Sequence, residues 1–141
     1  MSRSGYNEDC DGGNELYLYR ANVDRATHGR RGQALLRALL AALDAMPEKR
    51  LVAAEFQTEG GEVCAFGALG RKRGIDMSKW DQAAQQDDDD WLAYMLSKEF
   101  NIAEPLAREI MWANDEFFFS EETPEHRFQR VRQWVVEQIH A

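Results

Sequence analysis

One thiol set in an apolar run, three imidazoles and an N-terminal group of carboxylates are the side chains best equipped for covalent or metal chemistry in this sequence. Cys64 with His28, His126 or His140 would make a nucleophile and base of the thiol-hydrolase kind. No local signature supports that pairing, and a Cys in an apolar run is more often a core thiol. Glu8, Asp9, Cys10 and Asp11, joined in space by Asn114, Asp115 and Glu116, would offer oxygens to a hard cation such as Mg²⁺ or Ca²⁺. The alternating aspartates, glycine and distal Glu of a calcium loop are missing, so a solvated, turn-forming arm is the preferred reading and no metal is expected. Three dispersed His, with Cys10 and Cys64 far apart, give no zinc spacing. Gly67-Ala-Leu-Gly70 before Arg71-Lys-Arg73 has glycines and cations for a phosphate. It lacks the G-K-[ST] ending and the preceding buried strand, so close helix packing with a solvated basic end is the preferred reading. The expectation is a protein without a cofactor that is not an enzyme.

Charge distribution points to binding instead. Residues 80–125 carry 2 Lys or Arg against 13 Asp or Glu, whereas residues 1–79 carry 12 against 11 and residues 126–141 carry 3 against 1. Within the acidic stretch, Asp87, Asp88, Asp89 and Asp90 stand between Trp80 and Trp91, and Phe117, Phe118 and Phe119 stand among Asp115, Glu116, Glu121 and Glu122. Aromatic rings among carboxylates suit a basic protein partner, the rings supplying contact area and the charges steering the encounter. The residues expected to bind it are Trp80, Asp87 to Asp90, Trp91, Asp115, Glu116 and Phe117 to Phe119; helix-capping charges and core aromatics are the competing reading. Three consecutive Phe cannot share one side of one element, which leaves at least one for exposure or for a homodimer. Arg30 and Arg31, Arg71 to Arg73, and Arg127, Arg130 and Arg132 would together make a basic face for nucleic acid. Against so acidic a neighbouring segment, internal pairing or solvation is preferred, and nucleic acid is not the expected partner.

These residues need helices to hold them. Residues 1–13, rich in Gly, Asn and Asp, read as an irregular acidic arm, and 14–141 as one helical domain. A first helix runs from about Asn14 to Thr27, and the segment His28 to Gln33 breaks the pattern through its two glycines. Leu35, Leu36, Leu39, Leu40 and Leu43 repeat at helical spacing and mark the central helix, which Pro47 ends. Residues 50–73 read as a short extended segment and then a helix, with a hairpin around Gly60-Gly61 as the alternative. Asp76 to Gln86 reads as a polar connection anchored by Trp80. Helices are expected from about Asp89 to Lys98 and from about Ala103 to Asn114. Thr123-Pro124 opens the last helix as N-cap and N1, with Phe128, Val131, Trp134, Val135 and Ile139 on its apolar face. The expected fold is mostly α, about five helices in a compact single domain, with at most one short β-hairpin near residues 51 to 66.

At 141 residues the chain has the size of one domain. Its longest apolar stretch falls short of the roughly 20 residues of a membrane span, and its first residues are too polar for a signal peptide. A reduced, cytoplasmic setting is expected from the two cysteines.

Ser4-Gly-Tyr-Asn-Glu-Asp-Cys-Asp11, Arg30-Arg-Gly-Gln-Ala34, Ala41-Ala-Leu-Asp-Ala-Met-Pro-Glu-Lys-Arg50, Gly61-Glu-Val-Cys-Ala-Phe-Gly-Ala-Leu-Gly70, Ala107-Arg-Glu-Ile110, Asn114-Asp-Glu116 and Glu122-Thr-Pro-Glu125 carry a resemblance to a family of short bacteriophage and prophage proteins with no assigned activity. The chain departs from that family at Trp80 to Asp90 and at Phe117 to Phe119. The resemblance implies a phage setting and a bacterial host cytoplasm, in which small acidic proteins often bind and block host machinery. It carries no catalytic residue across. The expected function is that of a non-enzymatic accessory protein whose acidic surface binds a basic macromolecule, such as a host nucleic-acid-handling or defence protein in an anti-CRISPR-like role. The alternatives are a nucleic-acid module using the arginine clusters and a metal-dependent enzyme using the N-terminal carboxylates.

Overall fold

Leu35, Leu36, Leu39 and Leu43 lie on one face of a 16-residue helix and all four are buried in the computed structural model, at about 1.5–3 kcal/mol of hydrophobic stabilisation each. Leu40, at the edge of that face, is partly buried against the same core. The structure describes Ser4 and residues 14–84, 89–116 and 121–140. Within them are seven helices, α1 (Asn14–His28), α2 (Arg30–Ala45), α3 (Ala65–Lys72), α4 (Ser78–Ala84), α5 (Asp89–Phe100), α6 (Glu104–Asp115) and α7 (Pro124–Gln138). The helices α1, α3 and α7 each pack against both α2 and α6, while α5 packs on α6 and on α4. The core is therefore organised by two helices, α2 and α6, the latter burying Leu106, Ala107, Ile110, Met111 and Ala113.

The mostly helical class is as expected; the helix count and the hairpin are not. The additional helix is α4, in the stretch expected to be a connection. Asp76 starts it by accepting the Ser78 N–H at 3.1 Å and the Ser78 hydroxyl at 2.6 Å, a local side-chain turn of the kind that competes well at helix starts. In place of a hairpin there is one isolated antiparallel bridge, Gln57 with Val63, and no strand among the described residues. The turn is present, with Gly61 at a φ of 86° and the Thr58 N–H bonded to the Glu62 carbonyl at 2.8 Å. A ladder fails to form because side chains take the backbone groups. Asp81 accepts the N–H groups of Phe56 at 2.7 Å and Gln57 at 3.1 Å, and Asp115 accepts that of Ala54 at 3.0 Å. Asn114 donates to the Val52 carbonyl at 3.0 Å and accepts the Ala65 N–H, at the start of α3, at 3.1 Å. Buried backbone groups must find partners, and here an irregular segment carrying Leu51, Phe56 and Val63 into the core finds several of them on side chains of α4 and α6.

The corner between α1 and α2 is one residue long. Gly29 N–H closes α1 onto the Arg25 carbonyl at 3.0 Å, and α2 starts at Arg30, earlier than the two glycines suggest. Gly32 is no breaker: a Cβ there would lie 1.9 Å from the Ala26 carbonyl oxygen, so its bare Cα is what lets the two helices approach. Gln33 fastens the same corner, donating to the Thr27 carbonyl at 2.8 Å and to the Gln138 carbonyl at 2.9 Å while accepting the His140 N–H at 2.8 Å.

Candidate interaction surface

Helix α5 turns Leu92, Ala93, Leu96 and Phe100 into the core. Helical spacing then sends Trp91, Tyr94 and Lys98 outward in one stripe. Trp91 is 49% exposed and Tyr94 40%, their ring centroids stand 5.7 Å apart, and the Lys98 ammonium lies 5.4 Å from the Tyr94 ring, within cation–π range. Asp90 projects beside them into solvent and pairs with Arg108 of α6, which also donates to the Ser4 carbonyl at 3.0 Å.

The expected binding set is thus divided. Trp91 and Asp90 are on the surface. Trp80 is not: it is 9% exposed and belongs to the core, with its ring centroid 6.2 Å from that of Phe56 and 6.4 Å from that of Phe100, because it sits on the face of α4 that meets α5. Asp115 is half-buried and holds Ala54 and the Asn114 amide. Glu116 accepts the Ser4 hydroxyl at 2.5 Å. Asp89 opens α5, but its side chain, like Asp87, Asp88 and Phe117 to Phe119, lies outside the described residues. Tyr94 was not anticipated, although the inward spacing of Leu92 and Leu96 already places position 94 outside with position 91.

The arginines expected to converge or to pair do some of each. Arg127 and Arg130 face Glu122, whose side chain is 1% exposed. Arg130 grips it with two bonds of 2.7 and 2.9 Å, and Arg127 lies 3.3 Å away. The same guanidiniums donate to the last carbonyls of α6, Arg130 to Ala113 at 2.5 Å and Arg127 to Asn114 at 3.0 Å. Burial pushes the Glu122 pKa up, but hydrogen bonds from Arg130 and His126, with the charges of Arg130 and Arg127, outweigh it and hold the carboxyl below its ordinary 4.5. Arg132 pairs with Asp44 across the surface at 2.6 Å, and Arg71 donates to the Gly61 carbonyl. Arg20 spans the two oxygens of the buried Glu109 at 2.9 Å each. Arg30, Arg31 and Arg73 do come together, at the α1–α2 corner.

Cys64 is buried and caps α3, its sulfur accepting the Gly67 N–H at 3.5 Å. Close packing explains the glycine run: a Cβ on Gly67 would sit 1.9 Å from the Phe56 carbonyl oxygen. No group of three or more His, Cys, Asp or Glu suited to a metal ion occurs among the described residues, and Glu8 to Asp11 lie outside them. No helix among the described residues is long and apolar enough to cross a membrane. Comparison with family models, with curated proteins and with solved structures gives no match.

Proposed function

We propose that the protein is a non-enzymatic accessory protein that docks on a basic protein through the outer face of α5. The observation that carries this reading is the Trp91–Tyr94 pair: these are the exposed large aromatics among the described residues, and they lie in the segment with 13 acidic against 2 basic side chains. Exposed aromatic anchors ringed by charge are the usual centre of a protein interface, and the acidic field raises the encounter rate with a cationic surface. In the phage setting that the resemblance implies, the basic partner is a host nucleic-acid-handling or defence protein in the bacterial cytoplasm, and the protein inhibits it.

The test is capture from a nuclease-treated bacterial lysate followed by binding measurements with the purified captured protein. The partner is expected to be basic, to bind more weakly as salt rises, and to lose at least about tenfold in affinity with a Trp91→Ala/Tyr94→Ala variant that keeps its helical circular dichroism. A Val136→Ala variant, which removes an exposed side chain on α7, is expected to bind normally. Equal binding by the α5 variant and the native chain would sink the reading. Charge reversal should be confined to Asp87 and Asp88, because Asp89 and Asp90 open α5, Asp90 pairs with Arg108, and Asp115 holds the Ala54 N–H.

A further inference from the structure

The start of α2 is built against the usual electrostatics of a helix. A helix N-terminus carries partial positive charge and unpaired N–H groups, so it favours a capping oxygen and acidic residues. In this chain α4, α6 and α7 follow that rule with Asp81, Glu104 and Glu125 in their first turns. Helix α2 has Gly29 at its N-cap with no side-chain cap bond, no acid in its first turn, and Arg30 and Arg31 there instead. Cations have been placed where the helix itself repels them.

Two adjoining hollows open at this point. One, of about 350 Å³, lies between Arg30 and Arg31, Arg73 at the end of α3, Phe100 as the last residue of α5, and Asn101. The other, of about 300 Å³, is lined by Arg25, Gly29 and Gly32 on the side of α1. Both are walled by Arg30 and Arg31. The guanidiniums are held by neutral groups: Arg31 by the Asn101 side-chain oxygen at 3.2 Å, Arg73 over the Phe100 ring at 5.5 Å, and Arg25 by Asn22. None of the four forms an ion pair with a described residue. Glu99 is the one acidic residue in the walls.

We infer that this double hollow is a binding site for a compact, multiply charged phosphate ligand, the phosphate chain of an oligophosphate. Forked guanidiniums and a helix N-terminus are the groups that recognise phosphate oxygens, and two hollows that share two arginines in their walls offer places for more than one phosphoryl group. A long polyanion fits less well. The protein carries a net charge of −8, so strands leaving the groove would meet an unfavourable field, whereas a ligand enclosed by the arginines would not. Phe100 is buried and no exposed aromatic lines the hollows, so there is no platform on which bases would stack. This site is separate from the α5 surface and stands without that reading.

The experiment is titration calorimetry of the full chain at about 0.15 M ionic strength with inorganic triphosphate, ATP, orthophosphate and a single-stranded oligonucleotide. Triphosphate is expected to bind saturably and more tightly than orthophosphate, and Arg30→Gln/Arg31→Gln and Arg73→Gln are each expected to weaken it at least about tenfold. Arg132→Gln, which removes a positive charge away from the groove, is expected to leave it unchanged. Equal binding of ATP and triphosphate would identify the phosphate chain alone as the determinant; tighter ATP would add nucleoside contacts to the same site. The inference is overturned if neither binds saturably, if Arg132→Gln weakens binding as much as the groove variants, or if the oligonucleotide binds more tightly than triphosphate at the same arginines. Circular dichroism of each variant checks that the helices persist.

Discussion

The starts of α2 and α7 carry two arginines each within reach of the first turns, on helices of 16 and 15 residues, yet they are built for opposite ends. At α7, Thr123 caps by accepting the His126 N–H at 3.1 Å, Pro124 occupies the first turn, and the side chains of Arg127 and Arg130 are 13% and 12% exposed, their guanidiniums closed onto Glu122 and the end of α6. At α2 the cap is a glycine, the arginines are exposed, and they face a groove. The α7 start has every charge answered from within the chain. The α2 start leaves its cations for something outside, which is the pattern expected where stability yields to function.

The sharpest way to break the contrast is to remove Glu122. Glu122→Ala leaves Arg127 and Arg130 close together, poorly hydrated and without their carboxylate, and is expected to lower unfolding free energy by about 3–5 kcal/mol, read from urea denaturation with unchanged slope. A loss below about 1 kcal/mol, the range of an exposed pair, would show that the α7 arginines are no more structural than Arg132 on Asp44. A pH series follows at smaller size. The folded-state pKa of Glu122 lies below its ordinary 4.5, so its contribution is fully present above that value and is lost as pH falls through the lower, folded one. The stability difference between the native chain and Glu122→Gln is therefore expected to be constant near neutral pH and to narrow below 4.5. A difference that stayed constant down to the acid limit would remove the ionised carboxylate from the account.

On the other side of the comparison, the α2 corner depends on close approach. Gly32→Ala places a methyl 1.9 Å from the backbone oxygen of Ala26, which no side-chain rotation relieves, and is expected to cost about 1–3 kcal/mol as an overpacking change. Since Gly32 also borders the second hollow, the same variant should weaken triphosphate binding. Normal stability and normal binding together would mean the two helices are free to part.

What could be read in the sequence follows from the range of the interactions involved. The α2 leucines, the Thr123-Pro124 helix start and the approximate bounds of α5 and α6 rest on contacts within one or two turns, and they were legible. Helix α4 was missed because Trp80 is nearly its only apolar marker, and its cohesion comes from Asp81 reaching residues 56 and 57. The extended segment before α3 is legible, but the alternative hairpin fails for the same reason, since Asp81 of α4 and Asn114 and Asp115 of α6 take several of that segment's backbone groups. Trp80 and Trp91 look alike beside their aspartates, and only the packing of α4 and α5 separates the buried ring from the exposed one. The arginines were harder still: Arg31 and Arg73 meet across 42 positions, and Arg130 finds Glu122 eight positions back, neither of which a periodicity reveals.

The smallest expected effect is the most discriminating, because its sign differs between the two helix starts. Removing the Glu122 charge from the α7 start is expected to destabilise. Replacing Arg30 and Arg31 with Gln removes two cations from the positive end of α2 while keeping good helix formers, and relief of the dipole repulsion is expected to stabilise the ligand-free protein by about 0.3–1 kcal/mol per residue at low ionic strength. The gain should shrink with added salt, as exposed charges are screened, and should reverse when saturating triphosphate is present, since the ligand stabilises only the chain that binds it. Thermal unfolding of both chains, with and without ligand at two salt concentrations, reads all three. If the Gln variant were less stable than the native chain in the absence of ligand, Arg30 and Arg31 would be structural like Arg127 and Arg130, and the two helix starts would differ in geometry but not in purpose.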